Sequence, residues 1–178
     1  MATKRVARRS KKDVVIPVDE SFNEVGITEL TTTLMTEYAA KVNMDRAIPD
    51  YRDGLKPVQR RLMYTAHKHL GGGKAREKSA KLNGTVMGNY HPHGSTAIAG
   101  ALETMVAEPT PAFVGIGGWA TQVDHAAADR YTETHLSHYG RSFFVSSYIA
   151  PAVTDYVPNY DRKTVEPLLL PALLPNIF

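Results

Sequence analysis

Apolar residues at three- and four-residue steps, Ile27, Leu30, Leu34, Tyr38 and Val42, predict a first helix over Ile27 to Met44. Pro49, Asp50, Asp53 and Gly54 then mark a turn-rich connection. Pro57 opens a second helix at the position where its missing N–H does least harm, and Val58, Leu62, Ala66 and Leu70 form a stripe for burial. Gly71-Gly72-Gly73 ends it. A third helix places Ala75, Ser79, Leu82 and Val86 on one stripe and Lys74, Lys78 and Lys81 together on a neighbouring one. The clearest periodicity follows: Ser95 as N-cap, then Ile98, Ala101, Leu102, Met105 and Val106, with Pro109 and Pro111 closing a fourth helix. Residues 112–135 are rich in Gly, Ala and Thr and read as short strands and a hairpin. A further helix is predicted from about Leu136 to Ile149, and the Pro-rich end from Pro151 to Phe178 reads as extended segments and turns.

Helices followed by a small hairpin predict an α+β, mainly helical fold: a winged helix-turn-helix (CAP-like) domain with a small β-wing. In that architecture the second helix of the pair enters the major groove. Here it is the helix beginning near Ser95, whose N-terminus, with Ser95 and Thr96, would present backbone N–H groups to phosphates. The pattern divides the chain into a basic flexible arm over 1–26, the winged-helix domain over 27–150, and an extended segment over 151–178.

Charge changes the picture more than composition does. The net charge of +3 conceals an arm with six Lys/Arg in its first twelve residues and no acid. Residues 13–45 carry seven acids against one Lys, and residues 46–81 carry ten Lys/Arg against three acids. Residues 82–178 return to four against eight. A concentrated basic stretch over 46–81 in a nearly neutral chain is the footprint of a polyanion-binding face. Cysteine is absent, which excludes disulfides and thiolate metal sites. No apolar run approaches the roughly 20 residues of a membrane span, and no signal-peptide core follows the basic start.

Three segments carry candidate chemistry. They are Arg46-Ala47-Ile48-Pro49-Asp50-Tyr51-Arg52-Asp53-Gly54-Leu55-Lys56-Pro57-Val58-Gln59-Arg60-Arg61, then Gly88-Asn89-Tyr90-His91-Pro92-His93-Gly94, then Ala126-Ala127-Ala128-Asp129-Arg130-Tyr131-Thr132-Glu133. In content, order and spacing they resemble the N-terminal winged-helix part of the breakage–reunion domain in A-type subunits of type IIA DNA topoisomerases, the group of bacterial DNA gyrase A and topoisomerase IV A. The resemblance implies that the Tyr131 hydroxyl attacks a DNA phosphodiester and forms a 5′-phosphotyrosyl link. A phenol of pKa near ~10 is a weak nucleophile and needs cations around the phosphate. The resemblance gives Arg130 the role of stabilising transition-state charge. By the same resemblance Arg46 and Arg61 flank the scissile phosphate, and Lys56 and Arg60 bind the DNA backbone. A solvated helix face is the competing reading for these cations. The resemblance also implies that His91 and His93 would sit near the cleaved strand, as hydrogen-bond donors or proton carriers; with ordinary pKa values near ~6.5 they could serve as either. No carboxylate or cysteine beside these histidines completes a metal site. Lys74, Lys78 and Lys81 match helices of the family that contact DNA.

Departures from the family pattern are equally legible. The acidic residues expected after His-Pro-His-Gly and one turn later are Ser95 and Gly100 here, while Thr96 keeps a hydroxyl between them. A water–metal bridge to quinolone-type drugs would lose its acid, so poor quinolone sensitivity is expected; efficient drug-trapped cleavage at low concentration would contradict this. The Gly-rich run Gly115-Ile116-Gly117-Gly118-Trp119-Ala120-Thr121 reads one residue short. The chain stops where a tower domain would begin, and it shows no Toprim-type acidic cluster and no nucleotide-binding motif. The resemblance therefore implies double-stranded DNA as substrate and a gyrase B/Toprim-type partner holding Mg²⁺. ATP would lie on another subunit, the tower and exit gate on another chain, and a two-fold dimer would complete the assembly; a split-gene subunit, as in some viruses, and a truncated fragment both fit. The expected location is cytoplasmic and nucleoid-associated, or a host cell if the source is viral. The other readings are a non-catalytic DNA-binding protein that modulates a host topoisomerase, and a repressor. Thr96, Gly100, Glu103 and Thr104 on the outer face of the fourth helix offer a repressor little for base readout.

Overall fold

The computed structural model describes residues 26–107, 109–121, 124–143 and 154–170. The expected basic arm lies almost wholly outside them. The chain divides into two units, Met1–Tyr38 and Ala39–Phe178.

Helix α1 spans Ile27–Val42, as the periodicity predicts, and ends in one wider π-type turn over Asn43–Ala47. Ile48 then turns extended (ψ 126°), the conformation that the following Pro49 imposes on its neighbour. Ile27, Leu30, Leu34 and Tyr38 are exposed. A period of 3.6 shows which residues share a face, not what covers that face.

The second unit is built on three helices and a small antiparallel sheet, the α+β composition expected. Helix α2 (Pro57–His69) starts with Pro57 in its first turn, and the Gln59 side chain accepts the Lys56 backbone N–H at 2.9 Å. Gly71, Gly72 and Gly73 all have positive φ and reverse the chain in a 3₁₀ turn. A Cβ on Gly73 would lie 2.3 Å from Leu136 Cδ1, so glycine there permits both the left-handed backbone and the close packing of this turn on the sheet.

The third helix corrects an expectation. Helix α3 spans Ser79–Asn89, so Lys74 precedes it, and Lys78 belongs to a short strand, β1 (Glu77–Lys78). The three lysines therefore share no helix face. Strand pairing prevails because β1 bonds to β3 (Glu133–Leu136), a partner distant in sequence that local periodicity cannot register. Helix α4 spans Ser95–Ala107, with Ser95 as its first helical residue rather than the cap before it. Strand β2 (Phe113–Ile116) completes a sheet of order β1-β3-β2, pairing Phe113 with Leu136 and Ile116 with Glu133. Along β3, Thr134 and Leu136 are buried and the alternating Glu133 and His135 are half-buried.

Leu62, Met63 and Ala66 of α2, Leu82 and Val86 of α3, and Ile98, Leu102 and Met105 of α4 form the core with Phe113 and Leu136 of the sheet. Fully burying each large side chain contributes about 1.5–3 kcal/mol. Leu136, where the sequence predicts the start of a helix, is a strand residue. Helix α5 instead spans His138–Ser142, capped by Ser137 Oγ, which accepts the Gly140 N–H at 2.9 Å; the rest of the predicted helix lies outside the described residues. The C-terminal segment folds into a hairpin of β4 (Tyr156–Pro158) and β5 (Val165–Pro167). The Asn159 side-chain amide donates to Asn89 O, the Tyr160 hydroxyl donates to Gly88 O, and Leu170 is fully buried.

Candidate functional site

Tyr131 lies on a turn between the Ala-rich loop and β3, and it is 66% exposed. The turn is fastened on both sides of that residue. The Ser79 and Ala80 N–H groups of the first turn of α3 donate to Thr132 O (3.0 Å) and Asp129 O (3.1 Å). These are helix-start donors with no partner inside the helix, so the turn caps α3 and α3 immobilises the turn. The buried Thr132 hydroxyl donates to Ser79 Oγ at 2.8 Å, and the Asn83 amide reaches Asp129 at 3.4 Å. The Arg130 guanidinium sits 4.8 Å from the centroid of the Tyr131 ring, which places a fixed positive charge beside an exposed phenol.

A cleft beside this turn is lined by Ser79, Asn83, Asp129 and Thr132 and by Ser95, Thr96 and Ala99 of α4. A second cleft, of about 270 Å³, is lined by Asp45, Arg46, Lys56, Gln59 and His91 together with Ala97, Ala101 and Thr104 of α4. The start of α4 thus borders both the tyrosine turn and the cleft of Arg46, Lys56 and His91.

His91 is 7% exposed and edge-on to His93, with ring centroids 4.6 Å apart. Burial, with the charges of Arg61, His93 and Arg46 around it, pushes its pKa down to about 4. Arg61 Nη1 lies 2.9 Å from His91 Nδ1. A guanidinium can only donate, so Nδ1 accepts and the ring proton resides on Nε2. Of the two roles open to His91 from sequence, its surroundings fit the neutral hydrogen-bond donor. Arg61 is also held by Glu166, with Nε and Nη2 each donating to a carboxylate oxygen at 2.7 Å. Glu166 has no signal in its own sequence neighbourhood; it becomes visible only when the hairpin places it against α2.

The structure brings Arg61, His91 and His93 together and turns Arg60 away. Arg60 forms a two-bond ion pair with the buried Asp53 (2.7 and 2.9 Å) and donates to Leu55 O. Asp53 also accepts the backbone N–H groups of Leu55 and Leu170. Arg60 is therefore tied into the scaffold through Asp53. Lys78 pairs with Glu133 at 2.8 Å and Lys81 with Glu77 at 2.9 Å, while Lys74 is exposed in the loop before β1. Ser95 and Thr96 are exposed at the start of α4.

Comparison with known proteins agrees with the motifs. The family of DNA gyrase/topoisomerase IV A-type subunits matches residues 46–178. The gyrase A protein of Granulibacter bethesdensis is 44% identical over 147 residues, covering 79% of this chain and 15% of that protein. The A-type subunit of topoisomerase 4 from Escherichia coli K12 is 41% identical over 167 residues, 90% of this chain and 22% of that protein. The chloroplastic/mitochondrial gyrase A protein of Nicotiana benthamiana is 37% identical, across 96% of this chain and 20% of its own length. The chain spans about a fifth of the length of these relatives. With the family match over most of the chain and identities of this level, the chain belongs to the DNA gyrase/topoisomerase IV family of A-type subunits, those of the type IIA topoisomerases.

Proposed function

We propose that this chain is a DNA cleavage–religation component of a type IIA topoisomerase, with Tyr131 as the nucleophile and helices α3 and α4 with the β2–β3 sheet as a winged helix-turn-helix. The observation that carries the reading is the exposed Tyr131, under the Arg130 guanidinium, on a turn pinned to α3 from both sides. Tyr131 Oη attacks a backbone phosphorus as its proton leaves. The 3′-oxygen of the broken strand departs and takes up a proton, and the 5′-phosphate stays on the tyrosine. One phosphodiester replaces another, so the reverse attack by the 3′-hydroxyl reseals the strand without external energy.

Arg130 stabilises the charge developing on the phosphate oxygens. Arg46 and Lys56 supply positive charge in the second cleft, and His91 offers Nε2–H as a neutral donor. Ser95 and Thr96 meet the DNA backbone where α4 begins, and Lys74, Lys78 and Lys81 serve as weaker contacts, two of them shared with acids. Among the described residues no three His, Asp or Glu side chains converge to hold a metal. In this reading Mg²⁺ belongs to the Toprim domain of a partner, ATP to another subunit, and the tower and exit gate to a further segment or chain, in a two-fold assembly on double-stranded DNA. Among the described residues no helix is long and apolar enough to cross a membrane.

The test mixes the chain with a Toprim-bearing partner, Mg²⁺ and supercoiled DNA, and stops the reaction with detergent. Protein linked to 5′ ends is expected for the native chain and not for Tyr131→Phe. DNA binding without any adduct would favour the non-catalytic binder.

A further inference from the structure

We propose that Glu166 is a positioning residue: it fixes the fork of Arg61, and through Arg61 it holds His91 as a hydrogen-bond donor at the cleft that His91 lines with Arg46 and Lys56. The proposal takes the identity of the substrate from the cleavage reading above, but the linkage itself stands on contacts within the chain.

Arg61 is a long side chain at a partly exposed position, with 25% of its surface open, and left alone it would sample many rotamers. Glu166 removes that freedom. It lies 105 residues from Arg61 in sequence and engages Nε and Nη2 side by side, leaving Nη1 to reach His91 Nδ1 at 2.9 Å. Three of the five guanidinium N–H groups are thereby used, and those remaining keep a defined direction. The Glu166 charge offsets that of Arg61, so the contribution of Arg61 is orientation more than net positive charge. Glu166 is itself fixed by β5, where it pairs with Val157. The hairpin is tied down by Asn159 on Asn89 O and, just beyond β5, by the Leu170 N–H on Asp53.

The charged and titratable groups around His91 come from three elements: Arg61 from α2, Arg46 from the π-type turn, and His93 from its own loop. Asp45 and Lys56 line the cleft onto which it opens. With Nδ1 occupied by an arginine that Glu166 prevents from leaving, Nε2–H is the polar group His91 can offer to a ligand. A simple staple between hairpin and helix would also use a Glu–Arg pair, but it would have no effect on the imidazole.

The imidazole is therefore the readout. The ¹⁵N-labelled chain, without DNA, is followed by long-range ¹H–¹⁵N correlation across its histidine rings as pH is lowered, with His91 assigned by substitution. The native chain should show His91 as a single Nε2–H tautomer that resists protonation well below the ordinary histidine pKa of about 6.5. In Glu166→Ala, Arg61 is free to swing into solvent, and His91 should show mixed tautomers and titrate about one pH unit higher or more. Glu166→Gln keeps the shape and one acceptor and should fall between, and it serves if the alanine variant does not fold. In the complex that cleaves DNA, Glu166→Ala should lower the rate of adduct formation by about tenfold at nearly unchanged DNA affinity. A His91 spectrum identical in native, Ala and Gln forms would reduce Glu166 to a staple and overturn the proposal. So would a changed spectrum with an unchanged cleavage rate. Failure of the native chain to cleave at all would count against the Tyr131 reading and leave the imidazole result standing by itself.

Discussion

Arg60 and Arg61 are adjacent on α2 and carry the same side chain, yet each is bound to a different acid with a different consequence. Arg60 faces inward to Asp53, whose side chain is 1% exposed, while Arg61 faces the cleft through Glu166 and His91. Arg60→Ala leaves a buried carboxylate with two backbone N–H donors but no counter-charge. A loss of about 3 kcal/mol in urea unfolding is expected, near the lower end for a broken buried pair because those donors remain. Tyr131→Phe, at an exposed position, should change stability by less than about 0.5 kcal/mol, so loss of adduct in that variant cannot be ascribed to unfolding. His91 gives a pH dependence with a defined sign. Its folded pKa of about 4 lies below the unfolded value of 6.5, so between these the unfolded chain binds more protons. The His91 contribution is fully present above pH 6.5 and declines as pH falls toward about 4. Unfolding free energy measured across that window should fall with acid, and His91→Gln should flatten the slope.

At the scale of elements, α2, α4 and the β2–β3 hairpin are legible in the sequence because each carries its signal locally: a proline start, an apolar period, a Gly-rich turn. The start of α3 is not, since Ala75 and Ser79 extend the helical period backward while Glu77 and Lys78 are taken by β3 across more than fifty residues. The Arg-Tyr motif can be read as sequence, but the anchoring of its turn cannot. Ser79 and Thr132 meet only after α3 and β3 pack, and Glu166 reaches Arg61 only after the hairpin closes. Ser79→Ala combined with Thr132→Val should reveal a coupling of about 1 kcal/mol in a double-mutant unfolding cycle, reporting the hydroxyl pair that secures the tyrosine turn. Gly73→Ala forces a Cβ against Leu136 at positive φ and should cost about 1–3 kcal/mol by the same measurement.

Over the molecule as a whole, the basic stretch over 46–81 is less free than its count of ten Lys/Arg implies. Arg52, Arg60, Arg61, Lys78 and Lys81 are each in an ion pair. Among the described residues no ion pair is recorded for Arg46 or Lys56, and both line the cleft below α4. DNA affinity should therefore fall with salt, and Lys56→Ala should reduce the slope of log K against log salt by about one, in a fluorescence anisotropy titration with duplex DNA. Lys81→Ala, whose cation is already shared with Glu77, should change it less. Whether one phenol of this chain becomes bonded to DNA is decided by locating that bond. The covalent complex is trimmed with nuclease, digested with trypsin and sequenced by tandem mass spectrometry. Cleavage after Arg130 and Arg141 releases a peptide over 131–141 holding both Tyr131 and Tyr139. The nucleotide remnant is expected on Tyr131; a remnant on Tyr139, or on any residue outside that peptide, would overturn Tyr131 as the nucleophile.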